Sequence, residues 1–297
     1  MVTEKLLSGN PVAQAVNEDV SNKASYLKSR GILPKLTVIL VGNDPASKIY
    51  VGRKEKSCLK LGMDSKTIYL DEKTSEAELL TLIGTLNNDP LNHGILVQLP
   101  LPKQINEQKV LLSIDPMKDV DCFHPLNVGL LVSGRPYVLP CTPAGIMQIL
   151  KSYEISSAGK HAVVMGRSNI VGKPMANLLL QKNREANATV TVVHSRTEDI
   201  ALYTQAADLL IAAMGSANFV KAEMIKPGCI IIDVGMNRIP ADNERGYELV
   251  GDVDFGDVSE KCGRITPVPG GVGPMTIAML MKNTITAAAS QHEINLE

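Results

Sequence analysis

No apolar run in this chain approaches the ~20 residues that a membrane span requires, and the opening MVTEKLLSGNPVAQ lacks the basic-then-apolar pattern of a secretory leader. Neither sign of charge dominates. Thirty Lys and Arg face 31 Asp and Glu, a formal net charge of -1, which argues against a nucleic-acid binder or a protein held electrostatically on a membrane. The five cysteines (58, 122, 141, 229, 262) are odd in number, scattered and without a CxxC pair. They read as free thiols of a reducing compartment, so a cytoplasmic protein is expected. No His or Cys cluster suggests a metal site, and no internal repeat or low-complexity tract is present. What remains is a globular composition, 44% apolar and 21% charged over 297 residues, with room for two domains.

Apolar, β-branched runs alternate with helical patterns nearly throughout. LTVILVG (36–42), KTIYL (66–70) and GILVQLP (94–100) read as strands of a first half; HAVVMG (161–166), TVTVVH (189–194), DLLIAAM (208–214) and CIIIDVG (229–235) read as strands of a second. Helical stretches are expected over 10–29, 47–61, 75–88, 142–153, 174–182, 199–207 and 274–289. Continuous apolar strands separated by helices predict α/β architecture with parallel sheets covered on both faces. Residues 100–140, rich in Pro, Gly and Asp, lack a clear period and read as a connector. Thr142 is the expected N-cap of the helix after them, with Pro143 at its first position. The main boundary falls near 140.

HAVVMGRSNIVGKPMANLLL has strand, glycine turn and helix in the order a dinucleotide site requires, yet the GxGxxG fingerprint is absent. Gly166 can supply the tight turn, Ser168 takes the second glycine's place, and Gly172 arrives late. A phosphate-binding Walker loop also fails, because five residues separate Gly166 from Gly172 and Pro174 replaces the magnesium-holding hydroxyl. The next strand ends in Ser195-Arg196, where an NAD site presents a carboxylate to the ribose. A hydroxyl and a guanidinium suit a 2′-phosphate instead, with Arg167 as a second cation, so NADP is favoured over NAD. Glu198 and Asp199 are expected to cap the following helix.

SKIYVGRKEKSC (47–58) places Tyr50 and Lys54 four apart on one helix face, among Lys48, Arg53, Lys56 and Lys60. On its own this is either a solvated basic face or a lysine held in a site beside an aromatic. PVPGGVGP (267–274) combines three glycines and three prolines, a rigid backbone suited to close approach or to a stiff connector.

Taken together, YVGRKEKSC, GILVQLPLP (94–102), KDVDCFHPLNVG (118–129), PCTPAGI (140–146), GRSNIVGKP (166–174), IDVGMN (232–237), GDVDF (251–255) and ITPVPGGVGPMT (265–276) resemble the bifunctional methylenetetrahydrofolate dehydrogenase/methenyltetrahydrofolate cyclohydrolase family, in the family's order. The resemblance implies a three-layer α/β catalytic domain that binds folate, residues 1–140 completed by a terminal helix 274–297. It implies a Rossmann-like NADP domain over 141–273, a cleft between the two, and a homodimer acting on tetrahydrofolate one-carbon derivatives. Lys54 falls on the family's catalytic lysine, and Tyr50, Gln98 and Asp121 fall on active-site positions. Tyr50, Asp121, Pro269, Gly270, Gly273 and Pro274 are the implied substrate contacts. Gly166, Arg167, Ser168, Ile170, Gly172, Ser195, Arg196 and Met236 are the implied cofactor contacts. Alternatives are a family member with dehydrogenase activity alone, another two-domain NADP-dependent reductase of a small ketone, or a non-catalytic nucleotide sensor.

The chemistry explains the choice of residue types. Hydride loss from the methylene carbon leaves a cation that the substrate's own nitrogens stabilise, so positioning suffices. Hydrolysis needs one group that takes and returns protons, a role open to an amine. Gln98 can orient such an amine without adding a negative charge. A carboxylate at Asp121 matches the paired donor edge of a pterin ring, and Tyr50 can pack on a flat aminobenzoate. The family usually has glycine after the second Asp of KDVD, whereas this chain has Cys122, which is strained there if the backbone needs a positive φ.

Overall fold

The computed structural model describes residues 2–243 and 246–296. It begins with α1 (Val2–Lys5) and α2 (Gly9–Ser29), followed by β1 (Lys35–Val41), α3 (Pro45–Lys60), β2 (Asp64–Leu70), α4 (Glu76–Asn88) and β3 (Gly94–Val97). Three helices come next: α5 (Glu107–Ser113), α6 (Pro125–Val132) and α7 (Cys141–Ser152). Then come β4 (His161–Met165), α8 (Gly172–Leu180), β5 (Thr189–Val193), α9 (Ile200–Thr204), β6 (Leu209–Ala212) and β7 (Ile230–Asp233). The chain ends with β8 (Asn237–Pro240), β9 (Tyr247–Val250), α10 (Phe255–Val258), β10 (Arg264–Ile265) and α11 (Val272–Gln291). Among the described residues no helix is long and apolar enough to cross a membrane.

The chain divides into two compact units, one of Gln14–Cys141 with Ile277–Glu297 and one of Met1–Ala13 with Thr142–Thr276. Residues 1–13 therefore group with the second half and not with the first, where the sequence placed them. The reason is backbone pairing. Leu6 bridges Ile265, the Leu7 amide donates to the Ile265 carbonyl at 2.8 Å, and Lys5 Nζ donates to the carbonyls of Ser259 and Cys262. Met1 and Glu297, at the ends of the expected domains, lie outside the described residues.

The first unit is built on a parallel sheet in the order β2-β1-β3, with Ile39 of β1 paired to Ile68 and Val97. All of β1 after Lys35 is buried, as a central strand covered on both faces must be. Ile39, Val41, Ile95 and Val97 pack with Leu79 and Ile83 of α4 and Val110 of α5. On α3, Cys58 Sγ lies 3.3 Å from Met281 Sδ of α11. Helix starts follow from polar caps. Asp44 accepts from the Ser47 amide at 2.7 Å ahead of Pro45, and Ser75 and Glu78 form a reciprocal capping box.

Two expectations fail here. The region read as a connector contains α5 and α6, of seven and eight residues. Each is too short to show a period, and their starts, capped by Asn106 and by His124 ahead of Pro125, were not read from the sequence. Helix α7 begins at Cys141, so Thr142 is not its cap; the Thr142 hydroxyl meets that of Thr276 at 2.9 Å.

His93, at the foot of β3, is buried. Its Nδ1 accepts from the Lys35 amide at 3.2 Å, which places the proton on Nε2, 3.3 Å from His292 Nε2. Burial first, then His292 and Lys118, push its pKa down to about 4. Unfolded histidine titrates near ~6.5, so between these values the unfolded chain binds the extra proton. This contribution to stability is complete above ~6.5 and is lost as pH falls toward about 4. Urea midpoints measured across that window should fall less steeply with acid in His93→Gln than in the parent; equal slopes would show that His93 does not carry the effect.

The second unit holds an all-parallel sheet in the order β10-β7-β6-β4-β5 and an antiparallel pair β8-β9 that the sequence did not foreshadow. Its core joins Val163, Met165, Leu210, Ile231 and Ile265. The chain leaves β4 for β5 on one side and returns to β6 on the other. That reversal makes the ends of β4 and β6 the topological switch point, where such sheets bind ligands.

Candidate functional site

In the first unit α3 answers the ambiguity of the basic stretch. Lys48, Arg53, Lys56 and Lys60 are exposed, whereas Lys54 is half-buried. Lys54 Nζ donates to Gln98 Oε1 at 2.9 Å. Gln98 stands one residue past β3, where its amide continues the ladder to the Ile39 carbonyl at 2.9 Å. Its Nε2 donates to the Leu99 carbonyl at 2.8 Å, which turns the oxygen toward the lysine. Tyr50 lies one turn earlier on α3 and is 38% exposed, presenting a ring at the surface beside Lys54.

Asp121 completes the group. Its Oδ1 accepts a weak bond from the Cys141 thiol at 3.6 Å. Burial pushes its carboxyl pKa up, the Lys54 ammonium pulls it down, and the neighbouring Asp119 adds to the rise. The two aspartates of KDVD have different work. Asp119 is buried and accepts from the amides of Phe123 and His124 and from Asn127 Nδ2, so it is the turn's organiser. His124 caps α6 through Nδ1.

Cys122 has φ 61. The strain expected of a non-glycine residue is therefore present, of order ~1–2 kcal/mol. Its side chain is buried, with Sγ donating to the Val138 carbonyl at 3.3 Å. Burial pushes the thiol well above its ordinary range, which leaves it unreactive at neutral pH. Sequence reasoning missed Asn283 of α11, whose Nδ2 donates to the carbonyls of Val120 at 2.8 Å and Leu139 at 2.7 Å. It ties the Asp121 segment to the residues before Cys141. An amide on an apolar helix was the available signal.

In the second unit Gly166 follows β4 with φ 120, and a Cβ there would lie 2.2 Å from the Ala213 carbonyl oxygen. A Cβ on Gly172, the first residue of α8, would lie 2.2 Å from the Gly166 carbonyl oxygen. Both glycines are thus required by close backbone approach, as in a dinucleotide turn, despite the missing fingerprint. Ser168 Oγ accepts from the amides of Val171 at 3.0 Å and Gly172 at 3.4 Å, leaving its own hydrogen to donate. Arg167, Ser168, Ile170, Ser195 and Arg196 are all exposed around this turn and the end of β5.

Asp199 occupies the N-cap position of α9 at φ 43, but its side chain makes no capping bond. Met236 is 43% exposed, and a Cβ on Gly273 would come 3.2 Å from its Cε. Pro269 is exposed, and Gly270 (φ 102), Gly273 and Pro274 are half-buried in the loop and first turn of α11. The Gly270 carbonyl accepts from the Gly9 amide at 2.9 Å.

Two family models match the chain, and the second begins at residue 140. Residues 7–121 match the family model described as the tetrahydrofolate dehydrogenase/cyclohydrolase catalytic domain, and residues 140–292 match that described as its NAD(P)-binding domain. The chain belongs to the tetrahydrofolate dehydrogenase/cyclohydrolase family. A bifunctional protein FolD from Prosthecochloris aestuarii is 53% identical over 97% of this chain and 99% of its own. The crystal structure of the bifunctional FolD enzyme from Campylobacter jejuni matches with a TM-score of 0.90 and 51% identity, covering 96% of this chain and 98% of that one. The Trypanosoma brucei enzyme of this family, solved with NADP cofactor and an inhibitor, matches with a TM-score of 0.90 and 38% identity, over 96% and 97% of the two chains. Among the described residues no group of three or more His, Cys, Asp or Glu is placed to hold a metal ion.

Proposed function

We propose that the chain oxidises 5,10-methylenetetrahydrofolate to 5,10-methenyltetrahydrofolate with NADP+, and hydrolyses that product to 10-formyltetrahydrofolate. The observation that carries this reading is the Lys54–Gln98 hydrogen bond at 2.9 Å beside the Asp121 carboxylate. A two-domain ketone reductase or a nucleotide sensor would leave YVGRK, VQLP and KDVD, which supply these residues, as coincidences.

Lys54 handles the protons of hydrolysis: its neutral amine takes one from the attacking water, and the ammonium so formed returns it to the departing ring nitrogen. Gln98, held by the Leu99 carbonyl, points its acceptor at the amine and so fixes where the proton carrier stands. Asp121 accepts the pterin donor edge, Tyr50 packs on the aminobenzoate, and the Pro269–Pro274 backbone contributes further folate contacts. The glycine turn suits a pyrophosphate: Gly166 and Gly172, held glycine by the backbone packed against them, let the chain turn tightly into the N-terminus of α8, where backbone N–H groups favour an anion. Arg167 and Ser168 would hold the phosphates, Ser195 and Arg196 the 2′-phosphate, and Ile170 and Met236 the apolar flanks. Bound NADP+ supplies the hydride acceptor. The same reading includes a homodimer in the cytoplasm, which the family resemblance supports.

Incubation of methylenetetrahydrofolate with NADP+ and NAD+ in parallel, following reduced nucleotide and the methenyl species, tests both reactions. Reduced NADP is expected, with the methenyl species drained faster than it hydrolyses unaided; no turnover with either nucleotide would sink the reading. Arg196→Ala is expected to weaken NADP by about 10- to 100-fold, the worth of one or two charge-assisted contacts. NAD, which lacks the 2′-phosphate, should change by less than about twofold. Equal losses in titration calorimetry would remove Arg196 from that role.

A further inference from the structure

IDVGMN and GDVDF each place an aspartate in the second unit that the reaction itself does not use. Asp233 ends β7 and Asp252 follows β9 by two residues; both are buried. The Asp233 carboxylate accepts from the amides of Gly235 at 3.0 Å, Asp252 at 2.9 Å and Val253 at 3.0 Å. Asp252 in turn accepts from the amides of Met214 at 2.6 Å, Gly215 at 2.8 Å and Ser216 at 2.9 Å, and from Asn237 Nδ2 at 2.9 Å. The two carboxylates thus form a relay. The end of β7 fixes the backbone at 252–253, and Asp252 fixes both the loop after β6 and the start of β8.

The glycines of the two motifs exist to admit it. A Cβ on Gly251 would lie 1.7 Å from Asp233 Oδ2, and one on Gly235 would lie 2.3 Å from Asp252 Oδ1. Burying a carboxylate is costly unless donors surround it, so a site that buries two, each ringed by N–H groups, is committed to holding those donors in place. What they hold is specific. Ala213, at the head of the 214–216 loop, is the residue whose carbonyl abuts Gly166 of the nucleotide turn. Met236 sits between Gly235 and Asn237, each bonded to one of the two aspartates.

We propose that Asp252, seated by Asp233, is a positioning residue for the nicotinamide end of NADP: it sets the 213–216 loop on one side and Met236 on the other. The inference rests on the proposed NADP-dependent reaction and deepens it. Asp252→Asn keeps the size and the backbone amides that bind Asp233, but exchanges one acceptor oxygen for an NH2 group facing N–H donors. Misplacement of about 1 Å can cost ~100-fold in rate, so the dehydrogenase kcat/KM for NADP+ is expected to fall roughly 10- to 100-fold. Hydrolysis of supplied methenyltetrahydrofolate, run without nucleotide, should stay within about twofold. A merely structural role would lower both activities together, and that result, or an unchanged dehydrogenase, overturns the proposal.

Should Asp252→Asn not fold, Asn237→Ala removes a single bond of the relay. A raised KM for NADP+ with intact hydrolysis then supports the assignment, and an unchanged KM overturns it. If the parent protein does not turn over methylenetetrahydrofolate, the functional reading fails separately. NADP calorimetry on parent and Asp252→Asn still decides the clamp, by weakened affinity or by none.

Discussion

Lys54→Met should reduce methenyltetrahydrofolate hydrolysis to the unaided rate while NADP binding remains within about twofold. General acid–base groups typically contribute ~10²–10⁴-fold, and Lys54 is the amine that Gln98 Oε1 accepts from at 2.9 Å. Methionine has a similar length and helix propensity, so α3, capped by Asp44 and anchored by buried Val51 and Cys58, should persist. The oxidation step needs no protein base and should fall less than hydrolysis. One secondary effect follows from electrostatics. Lys54 is the larger of two influences, with the Cys141 thiol, that pull the Asp121 pKa down against burial, so its loss should raise that pKa further and weaken folate binding first at the acidic end of the profile. Hydrolysis that survives in Lys54→Met, measured by decay of methenyl absorbance, would remove the lysine from its role.

Gly166→Ala is expected to abolish measurable NADP binding, an affinity loss of at least about 100-fold, and to lower the thermal midpoint by roughly 5–10 °C. Two effects add. Alanine is disfavoured at φ 120, and its Cβ would stand 2.2 Å from the Ala213 carbonyl oxygen, a backbone atom that cannot swing aside. The ends of β4 and β6 would have to part at the switch point. Gly31 offers the control, since its φ is 81 and nothing lies within 4 Å of an added Cβ. Gly31→Ala should therefore show the backbone penalty alone, about 1–2 kcal/mol, with NADP affinity unchanged. Equal behaviour of the two variants, compared by calorimetry and thermal unfolding, would show that close packing at Gly166 is not what the cofactor turn depends on.

The parallel strands are legible because a strand buried on both faces must be apolar at successive positions, and β1, β4 and β6 are. Helices α3, α4 and α11 are legible from the length of their helical patterns. The short α5 and α6 are not, since one or two turns carry no period and their apolar faces are paired by neighbours distant in sequence. The β8-β9 pair escaped for a related reason: its residues are half-buried or exposed and none is fully buried, without the apolar contrast that marks a strand.

The candidate site divides in the same way. The residue types at 50, 54, 98 and 121, the glycines at 166 and 172, and the basic pair at 196 and 167 are all written in the chain, because chemistry selects types and spacing. Sequence alone therefore determined the α/β class, the two-part organisation and the candidate residues. It could not say which lysine of α3 is half-buried, which aspartate of KDVD organises the turn, or that Asp233 and Asp252 form one relay. Those were decided by tertiary structure, because burial and hydrogen-bond partnership depend on which distant backbone amides and carbonyls the fold brings within about 3 Å of a side chain.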